Sequence, residues 1–410
     1  MAIFLTRIEV NKVLHLHGFK INIDDRQKKH LILTGKNGSG KTSILNAIVD
    51  FLQLVKNDVN LNFLQLEKNI ESQKDYIEDL KRQQNLTGMA SAEGGLRHLQ
   101  DELERFFGSI NLCFNNLYEL STKMRDNDFL LSYYTADRVT KVNVIKNPTK
   151  PDLSPVQDIK TSKVSEFLTF LVDLKFQEAL ARNENQLEAA DHIKAWFISF
   201  EALLKDLFED QSLTLEFHYR DYSFTILQGV RRFGFDKLSA GYSAIIDIVA
   251  DLILKMQDQN VLTRAYEKEG IVLIDEVETH LHLKLQRVIL PMLTRIFPNI
   301  QFIISTHSPF VLSSLDNAIA YDLERFLRLE DLTEYSYNAL AEGYFEVNLI
   351  SGHLSAKLQR FKELSAKSVK DEAELAEYKI IDQEFLDMDS AAMPANIKAE
   401  YLKLKLVSNK

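Results

Sequence analysis

The chain has 410 residues, 45% of them hydrophobic and 26% charged, which is an ordinary globular balance and about two to three domains' worth of length. Forty-nine Lys plus Arg against 59 Asp plus Glu give a net charge of −10, which excludes a generally basic nucleic-acid coat but not a local basic groove. One cysteine, Cys113, excludes an internal disulfide and a multi-thiolate metal site. No apolar run approaches a membrane span, and the first residues lack the basic-then-apolar pattern of a signal peptide. A reducing cytoplasm is the expected compartment.

In chain order, residues 3–10 and 17–24 alternate apolar and polar positions and predict strands. Residues 30–34 form a short apolar run ending at Gly35, and apolar residues recur at helical spacing from Ser43. Residues 30–50 therefore read as strand, Gly-rich loop, helix. From about Phe51 to Met124 there is no proline, and leucines and isoleucines recur at threes and fours. This stretch predicts two helices joined by a turn at the Gly/Ser/Ala-rich text from Thr87 to Gly95, each arm of roughly 30 residues reaching about 45 Å. Two readings of this hairpin stand side by side: a helical pair packed on the surface, or a short coiled coil that grips a partner.

Residues 128–136 predict another strand, and 146–160, with Pro148, Pro151 and Pro155, an irregular loop. Residues 161–209 are helical by periodicity. Residues 213–219 and 222–228 alternate as a strand pair turning at Arg220-Asp221. A helix runs from near Ala240 toward Met256, strands follow at 271–275 and 301–305, and the Lys/Glu/Leu-rich tail is helical. These elements divide the chain into a head formed by 1–50, 128–160 and 213–345, a hairpin insertion at 51–127, a helical subdomain at 161–212 and a helical tail at 346–410.

Gly35-Lys36-Asn37-Gly38-Ser39-Gly40-Lys41-Thr42 matches G-x-x-x-x-G-K-[ST] in full, between a predicted strand and a predicted helix. Glycines let successive N–H groups of Asn37, Gly38, Ser39, Gly40 and the helix start through Ser43 face phosphate oxygens, aided by the helix dipole. Lys41 supplies a point charge to the β and γ phosphates, and Thr42 a hydroxyl to Mg²⁺. No N-K-x-D-like motif argues for GTP, so ATP is the expected nucleotide.

Ile271-Val272-Leu273-Ile274-Asp275-Glu276 is an apolar strand ending in two carboxylates. Asp275 is placed to orient Mg²⁺ and Glu276 to accept a proton from the attacking water, the general base of a hydrolysis. Leu238-Ser239-Ala240-Gly241-Tyr242 opens a helix with Ser239 as a good N-cap. Ile303-Ile304-Ser305-Thr306-His307-Ser308-Pro309 is a strand ending in a polar knuckle.

Taken in order, these elements resemble the ABC-type ATPases, within the RecF/OLD-like and SMC-like branch. The resemblance covers the N-terminal strands, the phosphate loop and about 236–315. It implies an α/β fold: an ATPase head with a mixed or parallel sheet, N-terminal antiparallel strands and helical insertions. It implies that Ser239 and Gly241 cap the γ-phosphate of ATP held by an opposite subunit, and that His307 is a switch histidine contacting that phosphate. Glu278-Thr279-His280-Leu281-His282 is similar to the E-x-H-L-H stretch of the OLD-like branch. Ala240 and Tyr242 depart from the transporter signature, and the Q-loop glutamine has no counterpart, residues 133–138 being the best region by position. Asp387 and Asp389 form a D-x-D without TOPRIM-like strands and read as a solvated helix face.

The implied function is Mg²⁺-dependent ATP hydrolysis in a nucleotide-gated homodimer or higher homo-oligomer. The outline is similar to stand-alone ATPase subunits of bacterial antiviral systems such as Septu or PARIS, with a separate nuclease or toxin effector. The alternatives are a RecF-like repair ATPase acting on DNA directly and a nucleotide-stabilised scaffold with slow hydrolysis. DNA is a candidate ligand through Arg138, Lys141, Lys146 and Lys150, or through Arg231-Arg232, although charges of this kind more often form solvated faces.

Overall fold

The computed structural model describes residues 2–58, 62–83, 86–137, 149–257, 268–330, 332–335, 339–340, 352–367, 369–388 and 395–408. The chain divides into two compact units, residues 1–334 and 335–410.

The first unit is built on a six-stranded sheet. Its strands are β3 (His30–Thr34), β5 (Phe129–Tyr134), β9 (Glu269–Ile274), β10 (Ile300–Ser305), β11 (Ala318–Asp322) and β12 (Leu327–Leu329), in the order β12-β11-β3-β10-β9-β5. All neighbours are parallel except the β11–β12 pair. Every residue of β3, β5 and β10 is buried, the pattern of parallel strands covered on both faces. This explains why their sequences read as continuous apolar runs rather than alternations. Ile303 lies between Leu31 and Leu273, so the ends of β3, β10 and β9 come level with one another.

A second sheet of β1 (Leu5–Val13), β2 (Leu16–Asn22) and β4 (Ile110–Phe114) is antiparallel, in the order β2-β1-β4. Helix α1 (Lys41–Asn57) buries Ile44, Leu45, Ile48 and Leu52 in the core shared with these strands. Helices α2 (Asn62–Arg82) and α3 (Leu86–Phe107) form the expected hairpin, around Ile77, Leu80 and Ala92.

The hairpin differs from expectation in two respects. Gly88, Gly94 and Gly95 lie inside α3, which begins at Leu86, and not between the two helices, α2 ending at Arg82. The physical reason is close approach: a Cβ on Gly95 would stand 3.2 Å from the Gln73 amide, and that amide donates to the Ala92 carbonyl at 3.1 Å. Ala92 is buried between the arms with Ile77 and Leu80, whereas Gly94 meets nothing within 4 Å. Also, 110–125 is not hairpin. It forms β4, which extends the β1 sheet, and α4 (Leu117–Arg125), capped by Asn116 accepting from the Glu119 N–H.

Helices α5 (Phe167–Asn183) and α6 (Leu187–Phe208) pack through aromatic residues, with Trp196 stacked on Phe200 and edge-on to Phe170. The strands β6 (Thr214–His218) and β7 (Ser223–Gln228) match the expected pair. A third strand, β8 (Arg231–Phe233), carries Arg231 and Arg232 exposed on its surface. Helix α7 (Ala240–Met256) lies after it, and α8 (Leu283–Ile296) after β9.

The second unit is three helices, Gly352–Ala366, Glu372–Asp387 and Ala395–Ser408, around Phe361, Phe385 and Tyr401. Arg360 pairs with Glu377 through two nitrogens. Asp387 is exposed on its helix and accepts from Gln383, a solvated face, while Asp389 lies outside the described residues. No helix among the described residues is long and apolar enough to cross a membrane.

Candidate functional site

Side-by-side parallel strands gather their carboxyl ends at one edge of the sheet, where loops are free to bind ligands. Three such ends meet here. β3 leads into the loop 35–40, β9 into Asp275 and Glu276, and β10 into Thr306 and His307. Backbone bonds lock them: Thr306 N–H donates to the Leu33 carbonyl at 3.0 Å, and Val277 N–H to the Ser305 carbonyl at 3.2 Å.

The loop curls because Gly35, Gly38 and Gly40 take positive φ of 132°, 83° and 95°. Gly40 also has no room for a side chain, since a Cβ would stand 2.6 Å from Leu16 of the β1–β2 hairpin. Asn37 and Gly38 are exposed at the tip, and Ser39, Gly40 and Ser43 are half-buried. Lys41 is buried, and its Nζ donates to the carbonyls of Gly35 at 2.9 Å and Lys36 at 3.1 Å. Burial pushes its pKa down, against an opposing pull from Glu276, Glu278, Asp275 and Asp322. The ammonium thus sits among neutral carbonyls, with carboxylates nearby rather than in contact. The Ser39 hydroxyl is buried without a hydrogen-bond partner, a donor facing the loop with no protein acceptor.

Thr42 Oγ1 donates to Asp275 Oδ2 at 2.8 Å. Ser305 Oγ donates to Asp275 Oδ1 at 2.5 Å and accepts from the Glu276 N–H at 2.8 Å. Ser305 therefore fixes both acidic residues from the neighbouring strand, a contribution the sequence reading did not assign. Glu276 has a positive φ of 44°, a conformation a non-glycine residue holds only when its surroundings impose it. Its Oε2 lies 3.4 Å from the Thr279 hydroxyl.

His307 is half-buried, and burial followed by the Lys41 charge pushes its pKa below the usual histidine value. Glu278 holds it in place: Oε1 accepts the His307 N–H at 2.5 Å and Oε2 the Thr306 hydroxyl at 2.7 Å. Burial raises the pKa of Glu278. The Glu-x-His-Leu-His text carried this residue, but only the fold shows what it grips. His282 in the same text is the N-cap of α8, its Nδ1 accepting from Leu285.

Ser239 is the N-cap residue of α7, exposed, and its side chain makes no cap hydrogen bond. Gly241 is buried, and a Cβ there would stand 2.9 Å from the His280 carbonyl. The neighbouring Tyr242 stacks on Phe208 of α6 at 4.3 Å and stands edge-on to His282. Its aromatic ring thus anchors the start of α7. Of the basic stretches read from the sequence, Arg138, Lys141 and Lys146 lie outside the described residues. The end of β5, the region expected to replace the Q-loop, lies beside the acidic pair, with Asp275 N–H donating to the Tyr134 carbonyl at 2.8 Å.

The residues fit a nucleotide and a magnesium ion. The positive-φ loop, the orphaned Ser39 hydroxyl and a lysine without a bonded anion form a cradle for phosphate. Thr42 and Asp275 offer two oxygens, the hard donor type magnesium prefers. Among the described residues no group of three or more His, Cys, Asp and Glu could hold a metal by itself, so an ion here would share its coordination with phosphate and water.

The family described as "ABC transporter" matches residues 19–186, and the one described as "AAA domain, putative AbiEii toxin, Type IV TA system" matches residues 235–313. The Retron Vc95 probable ATPase of Vibrio cholerae serotype O1 biovar El Tor is 25% identical, over 72% of this chain and 69% of that one. The Septu protein PtuA of Bacillus mycoides (strain KBAB4) is also 25% identical, over 81% of this chain but only 42% of its own length. The solved structure of an SmcHead bound to the C-winged helix domain of ScpA covers 81% of this chain and 100% of that chain, with a TM-score of 0.39 and 12% identity.

Proposed function

We propose that this ABC-type ATPase binds Mg-ATP in its phosphate loop and closes as a head-to-tail pair, with hydrolysis reopening the pair. The observation that carries the reading is the half-built character of the site. Lys41, Thr42, Asp275, Glu276 and His307 converge at one sheet edge. The other sequence-predicted group, Ser239, is exposed at a helix N-terminus with a hydroxyl that caps nothing in its own chain. A helix N-terminus of this kind is suited to an anion brought to it from outside.

In this reading Asn37, Gly38, Ser39, Gly40 and Ser43 bind phosphate oxygens through the loop, and Lys41 neutralises the β and γ phosphates. Thr42 and Asp275 hold magnesium, which supplies charge neutralisation on the phosphates. Glu276 accepts the proton of the attacking water. His307, held neutral by burial, donates or accepts a hydrogen bond at the γ-phosphate. Ser239 and the α7 start near Gly241 close the site from a second copy. The bound nucleotide then favours the closed state because only that state contacts both of its sides.

The relatives named as a retron ATPase and a Septu protein support a role as the sensor or regulatory ATPase of an antiviral defence complex, controlling a separate nuclease or toxin effector. A RecF-like direct action on DNA would instead use the exposed Arg231 and Arg232. Solution mass with and without Mg-ATP, on the parent chain and on Glu276→Gln, tests the pairing. ATP-dependent doubling that is trapped by Glu276→Gln and lost in Ser239→Arg is expected; a monomer under every nucleotide condition would remove the proposal. Turnover with and without DNA, and co-purification with the product of the adjacent reading frame, separate the two roles.

A further inference from the structure

A buried polar cluster lies outside the nucleotide site. Asp251 of α7 is fully buried, and its side chain pairs with Lys255 one turn on, at 2.8 Å. Asp251 Oδ2 also accepts the Tyr134 hydroxyl at 2.6 Å. Oδ1 accepts the Ser162 hydroxyl at 3.1 Å and the Lys163 N–H at 2.5 Å. Lys255 donates further to Ser132 at 2.8 Å. Ser132 and Tyr134 are alternate residues of β5, and Ser162 and Lys163 lead into α5. One carboxylate therefore ties together a helix, the edge strand β5 and the entrance to the α5–α6 pair.

We propose that Asp251, Lys255 and Tyr134 form a positioning unit that couples the signature helix α7 to the metal-binding end of β9. The link is short. Tyr134 gives its hydroxyl to Asp251 and its backbone carbonyl to the N–H of Asp275. Asp275 in turn takes the Thr42 hydroxyl. On the same helix, Ser239 lies about 18 Å from Asp251 at 1.5 Å per residue. A helix of this length moves as a rod, so a displacement at Ser239 arrives at Asp251 and is passed to Tyr134.

Stability is a poor reason for such a cluster. A buried ion pair recovers little more than its own desolvation, and an apolar replacement of equal shape is often as stable. What the cluster supplies is a unique register between α7 and β5, because every member has its partners only in one arrangement. The α7 half of the proposal rests on the reading that Ser239 closes over a nucleotide held by a second copy; the Tyr134–Asp275 half does not.

The test uses the full chain with Tyr134→Phe, which keeps the ring and removes the hydroxyl. The paired Asp251→Asn/Lys255→Met variant, which removes both charges together, serves if Tyr134→Phe does not fold. Three quantities are read: the Mg²⁺ concentration at half-saturation of fluorescent ATP-analogue binding, steady-state turnover with KM, and ATP-dependent solution mass. Losing a group that orients a metal ligand costs about 10–100-fold in metal affinity or activity, so the half-saturating Mg²⁺ is expected to rise about tenfold and turnover to fall similarly, with KM little changed. A merely structural defect would lower the folded fraction without moving the Mg²⁺ requirement of the folded molecules. Unaltered Mg²⁺ dependence in either folded variant overturns the Tyr134–Asp275 link. Normal ATP-dependent pairing and turnover in the paired variant overturn the link to α7. A parent chain that never pairs overturns the two-copy reading itself, while the Mg²⁺ shift still decides the first link.

Discussion

Glu278 holds the backbone of His307, its Oε1 accepting the histidine N–H at 2.5 Å while Oε2 takes the Thr306 hydroxyl at 2.7 Å. The carboxylate bridges the loop after β9 to the end of β10. It fixes where the backbone of His307 leaves the strand. Glu278→Ala takes the acceptor from the His307 N–H and from the Thr306 hydroxyl, whose oxygen keeps only the Ser308 N–H, and costs about 1–3 kcal/mol in stability. The expected outcome is a lower unfolding midpoint and slower phosphate release with nucleotide affinity retained. Glu278→Gln, which keeps one acceptor, is expected to recover most of the stability. Calorimetry and phosphate-release assays on both variants check this; full turnover in Glu278→Ala would disprove the clamp.

Lys41 and Glu276 should fail in different ways. Lys41→Ala removes the cation from the cradle and is expected to abolish ATP binding. Glu276→Gln removes the proton acceptor and keeps the shape. General-base losses predict a fall in hydrolysis of about 10²–10⁴-fold with ATP still bound. Equilibrium binding and single-turnover hydrolysis on both variants separate the roles, and parental turnover in Glu276→Gln would assign the base elsewhere.

Gly241 is the place where the start of α7 meets the loop after β9. A methyl group there would stand 2.9 Å from the His280 carbonyl and 3.2 Å from Leu285, so one of them must shift. Overpacking of this kind costs about 1–3 kcal/mol. Gly241→Ala is expected to lower the unfolding midpoint and to weaken nucleotide-dependent pairing, while single-chain ATP affinity stays close to parental. Urea titration and solution mass check the two effects, and an unchanged midpoint would show that the contact is slack.

His30 links acid sensitivity to the central sheet. It is buried, its Nδ1 accepts the Phe302 N–H at 3.0 Å, and burial, aided by Lys28, pushes its pKa down to about 3. A depressed pKa means that the folded state prefers neutral histidine. The stabilising contribution is complete above about 6.5, the unfolded value, and is lost as pH falls toward about 3. One proton taken up on unfolding gives a slope of about 1.4 kcal/mol per pH unit within that window. His30→Asn keeps an acceptor for Phe302 and removes the titration. Its stability is expected to be lower at neutral pH but flatter between pH 6.5 and 4, as measured by urea unfolding across that range. An equally steep slope in the variant would show that other groups carry it.

The helical hairpin shows where sequence patterns lose their force. Glycine is read as a breaker, and the Gly/Ser/Ala-rich text in α3 was expected to be the turn. Inside a helix the same residues are favoured where a partner helix comes close, and Gly95 against Gln73 is that case. Only the packing partner distinguishes the two. Strand β12 was missed because it has three residues and lies at the sheet edge, and β11 because its text, Ala-Ile-Ala-Tyr-Asp, is rich in residues that strands disfavour. Tyr134 and Asp251 read as ordinary strand and helix residues, since a hydrogen bond across 117 positions leaves no local trace.

The phosphate loop, the acidic pair and the histidine knuckle were legible residue by residue. Their chemistry is local: glycines that permit positive φ, a lysine at a helix start and a carboxylate at the end of an apolar run leave fixed spacings in the text. The sequence also determined the strand–loop–helix form of residues 30–50 and the span of α7 from Ala240 to Met256. What only the tertiary structure decided is adjacency. The order β3-β10-β9-β5 brings Thr42, Ser305, Asp275 and Tyr134 together from four separate stretches of chain. Parallel pairing is a long-range choice, made by the burial of whole strands, and no spacing along the chain encodes which strand will be a neighbour.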